Sequence, residues 1–139
     1  MSDRFVLDAS VALAWCFQDE ATPFTRALLD QVLDGAVVTT PSIWPLEVSN
    51  GVRIAERRGR IGVAEGDRLM DFVRHLSIRV KRTRTVEIFG DVADLARYER
   101  LTVYDASYLY LARSEGLPLA SLDGPLCAAA RRQGVDVLH

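Results

Sequence analysis

The stretch FVLDAS, residues 5–10, decides how the chain is organised, because an apolar run ends in it at an acidic residue and a helical pattern begins. Phe5–Leu7 indicates a short buried strand, Asp8 follows it, and Ser10 starts an apolar helix that continues to Phe17. In an α/β sheet, the ends of parallel strands and the starts of the following helices meet at one edge. Asp8 is therefore predicted to lie at the edge of the sheet where ligands bind.

The remainder of the chain alternates between short apolar runs and amphipathic helical patterns. Further strands are predicted at residues 37–40, 78–80, 119–121 and 135–138. Helices are predicted at residues 22–34, 42–58, 62–75, 86–97, 103–115 and 126–133. This alternation predicts an α/β fold with a central five-stranded parallel sheet and helices on both faces. The length of 139 residues predicts a single domain, 1–139, that can bury its own core.

Of three further acidic residues, Asp105 and Asp123 lie at comparable strand-to-helix junctions, and Glu47 lies on a flanking helix that would point it to the same edge. Carboxylates gathered at one sheet edge repel one another, by roughly 4 kcal/mol per pair at ~4 Å and an effective dielectric constant of ~20. Only a cation or a shared proton makes such a cluster tolerable. Together with Asp8, these residues are predicted to form a divalent-metal site.

The three aspartates also have a purely structural interpretation. Asp8 and Asp123 each precede a helical pattern, and aspartate is preferred at the N-cap. Thr102 and Asp105 have the spacing of a capping box. Taken singly, each aspartate is explained about equally well as a helix cap or as a metal ligand.

Glu47 has no such explanation, because it lies inside an apolar helical pattern where leucine is the usual residue. Asn50 follows it one turn later on the same face. An acid beside an amide on one helical face favours a metal ligand with a neighbouring contact to water or substrate. Ser10 and Asn50 are predicted to make such contacts.

Charge and cysteine content narrow the classes of protein. The 17 basic residues face 19 acidic ones, for a net charge of −2, yet the four candidate acids account for the excess. Arginine runs at 57–60 and 79–84 are solvated surface or phosphate contacts.

Cys16 and Cys127 lie in apolar helical stretches without a C-x-x-C pattern, which favours core packing in a reducing cytoplasm. No signal peptide precedes the first strand, and no apolar run approaches the ~20 residues of a membrane span.

Most aromatic residues are predicted to belong to the core, among them Phe89 on an apolar helical face. Tyr104 and Tyr108 share one face of a later helix, for which core packing is also expected. The two histidines, His75 and His139, stand at the end of a helical pattern and at the last position. Neither position fits general acid–base catalysis.

The order of these motifs resembles that of a known family. The motifs are the strand leading into Asp8, Pro41 followed by residues 47–50, residues 104–109, and residues 119–123. In this order and spacing the chain is similar to a PIN-domain ribonuclease of the VapC toxin type, the toxic half of toxin–antitoxin pairs. The resemblance covers essentially the whole chain and implies a PIN-like fold.

The resemblance implies a metal-dependent endoribonuclease that hydrolyses RNA, with tRNA or another structured RNA as the favoured target. Asp8 and Asp105 would hold the principal Mg²⁺ or Mn²⁺, and Glu47 and Asp123 would complete the shell directly or through water. A small VapB-like antitoxin and a homodimer are the implied partners. The candidate surfaces for them are the apolar faces of the helices at 22–34 and 42–58.

Two other classes compete with this interpretation. A phosphorylation receiver domain needs a lysine at a late strand end, and the lone lysine, Lys81, follows the third strand instead. A catalytically silent PIN-like module that binds RNA or protein would be expected to lack one of the acids. All four are present.

Overall fold

The computed structural model describes residues 3–139, which form a parallel sheet flanked by helices. The strands are β1 (Arg4–Leu7), β2 (Val37–Pro41), β3 (Ile78–Lys81) and β4 (Leu119–Ala120). They lie in the order β3-β2-β1-β4, and every neighbouring pair is parallel. The predicted α/β class is confirmed.

The predicted number of five strands is wrong, because the described sheet has four. The segment expected to form the fifth makes only one isolated parallel bridge, between Val137 and Leu119. Gly134, at φ 76°, and the bond from the Val135 amide to Ala130 O belong to the end of the preceding helix. Few residues are then left to pair with β4, which is itself two residues long.

The helices agree with the predicted pattern to within a few residues. They are α1 (Ala9–Cys16), α2 (Pro23–Leu33), α3 (Ile43–Arg57), α4 (Val63–Arg74), α5 (Thr85–Glu87), α6 (Ala93–Glu99), α7 (Val103–Glu115) and α8 (Gly124–Arg132). A 3-10 turn covers Gln18–Glu20, and a π-helical segment, Ile88–Val92, joins α5 to α6. Single π turns inside helices are frequent at functional sites.

Side chains from both faces of the sheet form the core. Phe5, Val6 and Leu7 of β1 are fully buried, which is typical of a strand covered by helices on both sides. Tyr108 and Leu109 of α7 are also fully buried, and α7 packs against β1 and β2. The central position of β1 fixes its end, and therefore Asp8, in the middle of the sheet edge.

Several expectations about individual side chains can be compared with the structure. Cys16 and Cys127 are free and buried, as predicted. Core packing is wrong for Phe89 and Tyr104, which are 82% and 60% exposed. In residues 3–139, no helix is both long enough and apolar enough to cross a membrane.

Candidate metal centre

Asp8 is the most buried acid of the candidate site, with 5% of its surface exposed. It follows β1 directly, and its amide donates a hydrogen bond of 3.0 Å to Ala120 O of β4. Its Oδ2 accepts bonds of 2.7 Å from the hydroxyls of both Ser10 and Ser121. The pairing of β1 with β4 therefore brings together residues more than a hundred positions apart.

The two serines connect Asp8 to the loop that carries Asp123. Ser10 Oγ accepts a bond of 2.9 Å from the Leu122 amide, and Ser121 Oγ accepts one of 3.0 Å from the Asp123 amide. Each hydroxyl thus donates to the Asp8 carboxylate and accepts from the backbone of the β4–α8 loop. This arrangement holds the loop, and the Asp123 carboxylate with it, beside Asp8.

Glu47 enters the site from α3, at a half-buried position. The hydroxyl of Tyr108, which is fully buried on α7, donates a bond of 2.6 Å to Glu47 Oε1. Burial and the Glu47 carboxylate raise the pKa of Tyr108, so this hydroxyl remains a donor at physiological pH. Tyr108 thereby fixes the carboxylate of one helix against another.

Asp105 lies in the first turn of α7 and is half-buried. Its amide donates a bond of 3.1 Å to the Thr102 hydroxyl, which caps the helix. The backbone of Asp105 therefore serves the cap. Its carboxylate is coupled electrostatically to Asp8, Glu47 and Asp123.

The pKa shifts show that the four acids form one electrostatic cluster. Burial raises the pKa of Asp8, Glu47 and Asp105 above the ordinary values of these groups. Repulsion adds to burial in each case: Asp123 acts on Asp8, Asp8 and Asp105 act on Glu47, and Asp123 and Asp8 act on Asp105. The hydroxyl donors around Asp8 and Glu47 oppose these shifts only in part.

The structure distinguishes among the capping interpretations. Asp123 is a helix cap, since its Oδ1 accepts a bond of 2.9 Å from the Leu126 amide. Asp8 occupies the N-cap position of α1 without forming a side-chain capping bond, so capping does not explain it. For Asp105 the capping bond uses the backbone amide, which any residue except proline could supply.

The chemistry of the donor set fits a divalent cation. Carboxylate oxygens are the hard ligands that Mg²⁺ and Mn²⁺ prefer. The hydrogen bonds described above use one oxygen atom each of Asp8, Glu47 and Asp123, so a second oxygen atom of each is left for a cation. Across residues 3–139, no three His, Cys, Asp or Glu side chains are grouped as a ready-formed set of ligands. The four acids therefore interact through their charges without forming a closed set of ligands.

The two residues predicted to support the metal ligands, Ser10 and Asn50, have different surroundings in the structure. Ser10 bonds directly to Asp8, whereas Asn50 is exposed and makes no side-chain hydrogen bond to another described residue. Sequence reasoning missed Ser121 and the hydroxyl of Tyr108. Ser121 ends an apolar run two positions before Asp123, which was a usable signal. For Tyr108 the sequence indicated only burial.

Comparison with known proteins shows the family to which the chain is similar. The model of the family described as the PIN domain matches residues 5–132. Ribonuclease VapC9 of Mycobacterium tuberculosis is 30% identical over 118 residues, which are 85% of this chain and 84% of that protein.

Two crystal structures share the fold. PAE2754 from Pyrobaculum aerophilum has a TM-score of 0.71 at 23% identity, over 94% of this chain and 89% of that one. VapC20 of M. tuberculosis, described as a sarcin-ricin loop cleaving toxin, has a TM-score of 0.67 at 19% identity, over 90% of this chain and 94% of that one.

A parallel α/β sheet that gathers acidic side chains at one edge, together with these matches, defines the class of protein. The chain belongs to the PIN-domain family, and its relatives within that family are VapC ribonucleases. The resemblance noted in the sequence is thereby confirmed.

Proposed function

We propose that the chain is a metal-dependent endoribonuclease, the toxin of a type II toxin–antitoxin pair, and that it hydrolyses RNA at the cluster of Asp8, Glu47, Asp105 and Asp123. The observation that carries this proposal is the meeting of four acids from β1, α3, α7 and the β4–α8 loop, where burial first and repulsion second raise the pKa of Asp8, Glu47 and Asp105. Carboxylates that serve only as helix caps have no reason to lie near one another. Carboxylates that bind a cation must lie close together, and they repel one another when no cation is bound.

Each acid has a separate part in this proposal. Asp8 and Asp105, which are coupled to every other member of the cluster, hold the principal Mg²⁺ or Mn²⁺. Glu47 and Asp123 complete the shell directly or through water. When bound, the cation neutralises charge on the phosphodiester and activates water for in-line attack.

Neighbouring residues orient the ligands. Ser10 and Ser121 fix one oxygen atom of Asp8, and Tyr108 fixes one of Glu47. Such supporting hydrogen bonds keep the remaining oxygen atoms directed at one place. Asn50, exposed on the same face of α3 as Glu47, is proposed to contact substrate or water.

Some exposed arginines form ion pairs within the protein, and others are free to contact a substrate. Arg60 pairs with Asp19 and Glu20 and stacks over Phe17 at 4.1 Å, so it serves the fold. Arg79 and Arg82 are exposed and form no ion pair within the described residues. They are the proposed contacts to RNA phosphates.

The protein is expected to cleave RNA only with Mg²⁺ or Mn²⁺, and to leave a 5′ phosphate and a 3′ hydroxyl. Water is the expected nucleophile, because the site offers carboxylates and no histidine pair to activate the ribose 2′ hydroxyl. Mixed RNA incubated with and without manganese, followed by end-group analysis, measures both features. Cleavage that persists in excess chelator, or 2′,3′-cyclic phosphate ends, would contradict the proposal.

Membership among the VapC relatives implies an antitoxin partner, and we propose that it is a small VapB-like protein whose tail covers the acidic cluster. Expression of this chain alone should then arrest growth, and co-expression with the small reading frame beside its gene should relieve the arrest.

We also propose a homodimer. The apolar faces of α2 and α3 were predicted as candidate surfaces for both the antitoxin and the dimer. Most of their apolar residues pack in the core, and Leu33 and Leu46 remain exposed.

The more apolar surface lies at Val86 and Phe89, which are 69% and 82% exposed. Sedimentation at micromolar concentration should show a dimer that Phe89→Ser weakens, because the substitution removes the largest apolar contact available there. Val63→Ser, at a 68% exposed position on α4, is the matched control and should leave the dimer intact. A monodisperse wild-type monomer would contradict the dimer without affecting the proposed activity.

A further inference from the structure

A small open cavity of about 220 Å³ lies at the edge of the sheet where β2 ends, since Pro41 lines it and β2 neighbours β1, which leads into Asp8. Its apolar walls include Ile43 at the start of α3, together with Ile88 and Val92 of the π-helical segment. Tyr104, in the first turn of α7, also lines it while remaining 60% exposed. The volume is below the ~300–1,000 Å³ typical of pockets for drug-sized ligands, so the cavity suits one small group.

The cavity and the candidate metal centre are built from the same two helices. Tyr104 immediately precedes Asp105 in α7, and Ile43 stands one turn before Glu47 in α3. Tyr104 and Asp105 lie four and three positions before Tyr108, whose hydroxyl bonds to Glu47, so both stand on the side of α7 that faces the carboxylates. A polymer held at the carboxylates would therefore bring an adjoining unit within reach of the cavity.

Hydroxyl groups interrupt the apolar wall. Ser42, Thr83 and Ser107 line the cavity, and Ser107 Oγ donates a bond of 2.5 Å to Tyr104 O. The hydroxyls of Ser42 and Thr83 make no hydrogen bond to any residue in 3–139, so each can donate or accept. An aromatic ring with several hydroxyls near it suits a planar group with polar edges.

Arginine residues are concentrated in the chain on both sides of Thr83, which lines the cavity. Arg82 and Arg84 flank Thr83 in the loop after β3, and Arg79 precedes them on that strand. Arg84 pairs with Glu87 at 2.6 Å, whereas Arg79 and Arg82 are without ion pairs in the described part of the chain. This surface complements a polyanion and disfavours a basic peptide.

We propose that the cavity is a subsite for one unstacked nucleobase of the RNA, next to the scissile phosphate, with Tyr104 as its stacking platform. Proteins that recognise single-stranded RNA place splayed bases on aromatic side chains and bond their edges to polar groups. Ser42, Thr83 and Ser107 would bond the base edge, and Arg82 would contact the adjoining phosphate. This inference rests on the proposed ribonuclease activity. It specifies which group of the RNA the protein binds beside the scissile phosphate.

The test is an abasic scan on a single-stranded RNA oligonucleotide that the wild type cleaves. Removing one base beside the cut should raise the wild-type KM on the order of tenfold, the loss expected for one stacked base. In Tyr104→Ala the intact oligonucleotide should already show that higher KM, and the same abasic change should add little. Tyr104→Phe keeps the ring and should stay near wild type.

Tyr98→Ala is the matched control, because Tyr98 is another exposed tyrosine, 78% exposed on α6, and does not line the cavity. It should respond to the abasic scan as wild type does. A flat scan in wild type, an unchanged KM in Tyr104→Ala, or a Tyr104→Ala defect confined to binding of a peptide partner would overturn the subsite.

If the wild type cleaves no RNA with either metal ion, the proposed function is contradicted, and the subsite needs a separate measurement. Fluorescence anisotropy with the same oligonucleotides in chelator then decides the subsite separately. Weaker binding by Tyr104→Ala than by Tyr98→Ala would support it, and equal binding would overturn it.

Discussion

Asp105→Asn is expected to make the metal-free protein slightly more stable and the manganese-loaded protein nearly inactive. The substitution removes one charge from a repelling cluster, which should raise the free energy of unfolding by on the order of 1 kcal/mol after solvent screening. It also removes a principal ligand, so activity should fall at least about 100-fold. Thermal unfolding and RNA cleavage, each measured with manganese and with chelator, test both effects.

The stabilisation by manganese should also be lost in this variant. A cation that binds only the native state at 100 times its Kd stabilises wild type by about 2.7 kcal/mol. Asp30→Asn, at an exposed site on α2, is the control and should keep both activity and the manganese effect. Full activity in Asp105→Asn, or an equal manganese shift in both variants, would mean that Asp105 serves only the helix cap.

Asp123→Asn separates capping from ligation at the one position where the structure shows a capping bond. Asparagine caps about as well as aspartate and can accept the bond from Leu126 through its own oxygen. Any loss of manganese stabilisation in this variant therefore comes from the missing charge and not from a weakened α8.

The placement of Asp8 was predictable because it depends on two local signals, an apolar run and a helix start. Those signals locate a strand end, and parallel topology brings strand ends to one edge. The number of strands was less predictable. An alternating segment such as Val135–Leu138 has strand character, but pairing also requires a partner of sufficient length, and β4 has only two residues.

The bonds around the cluster depend on tertiary contacts that no local pattern contains. Ser121 reaches Asp8 only because β4 pairs with β1, and Tyr108 reaches Glu47 only because α7 and α3 both pack against β2. The exposure of Tyr104 was mispredicted for a similar reason. Helical spacing places it on the face of Tyr108, but that face extends beyond the core at the start of α7, where Tyr104 borders the cavity.

The pH dependence of stability follows from the direction of the pKa shifts. The folded-state pKa values of Asp8, Glu47 and Asp105 lie above the ordinary values of 3.8 for aspartate and 4.5 for glutamate. Between the ordinary and the raised value, the folded chain holds more protons than the unfolded chain, so the free energy of unfolding falls as pH rises. Carboxylates with lowered pKa, such as Glu99, have the opposite effect only below about 4.5.

Metal-free protein should therefore become more stable as the pH is lowered from neutrality through the raised pKa values towards the ordinary ones, by at most about 1.4 kcal/mol per pH unit for each proton taken up. Saturating manganese should reverse this trend, because a cation binds the deprotonated carboxylates and protons compete with it. Urea unfolding across this range, with chelator or with manganese, measures both slopes. Asp8→Asn should flatten the metal-free slope, and Asp30→Asn should leave it unchanged. Metal-free stability that falls on acidification, or equal slopes with and without manganese, would show that repulsion among these acids does not govern the site.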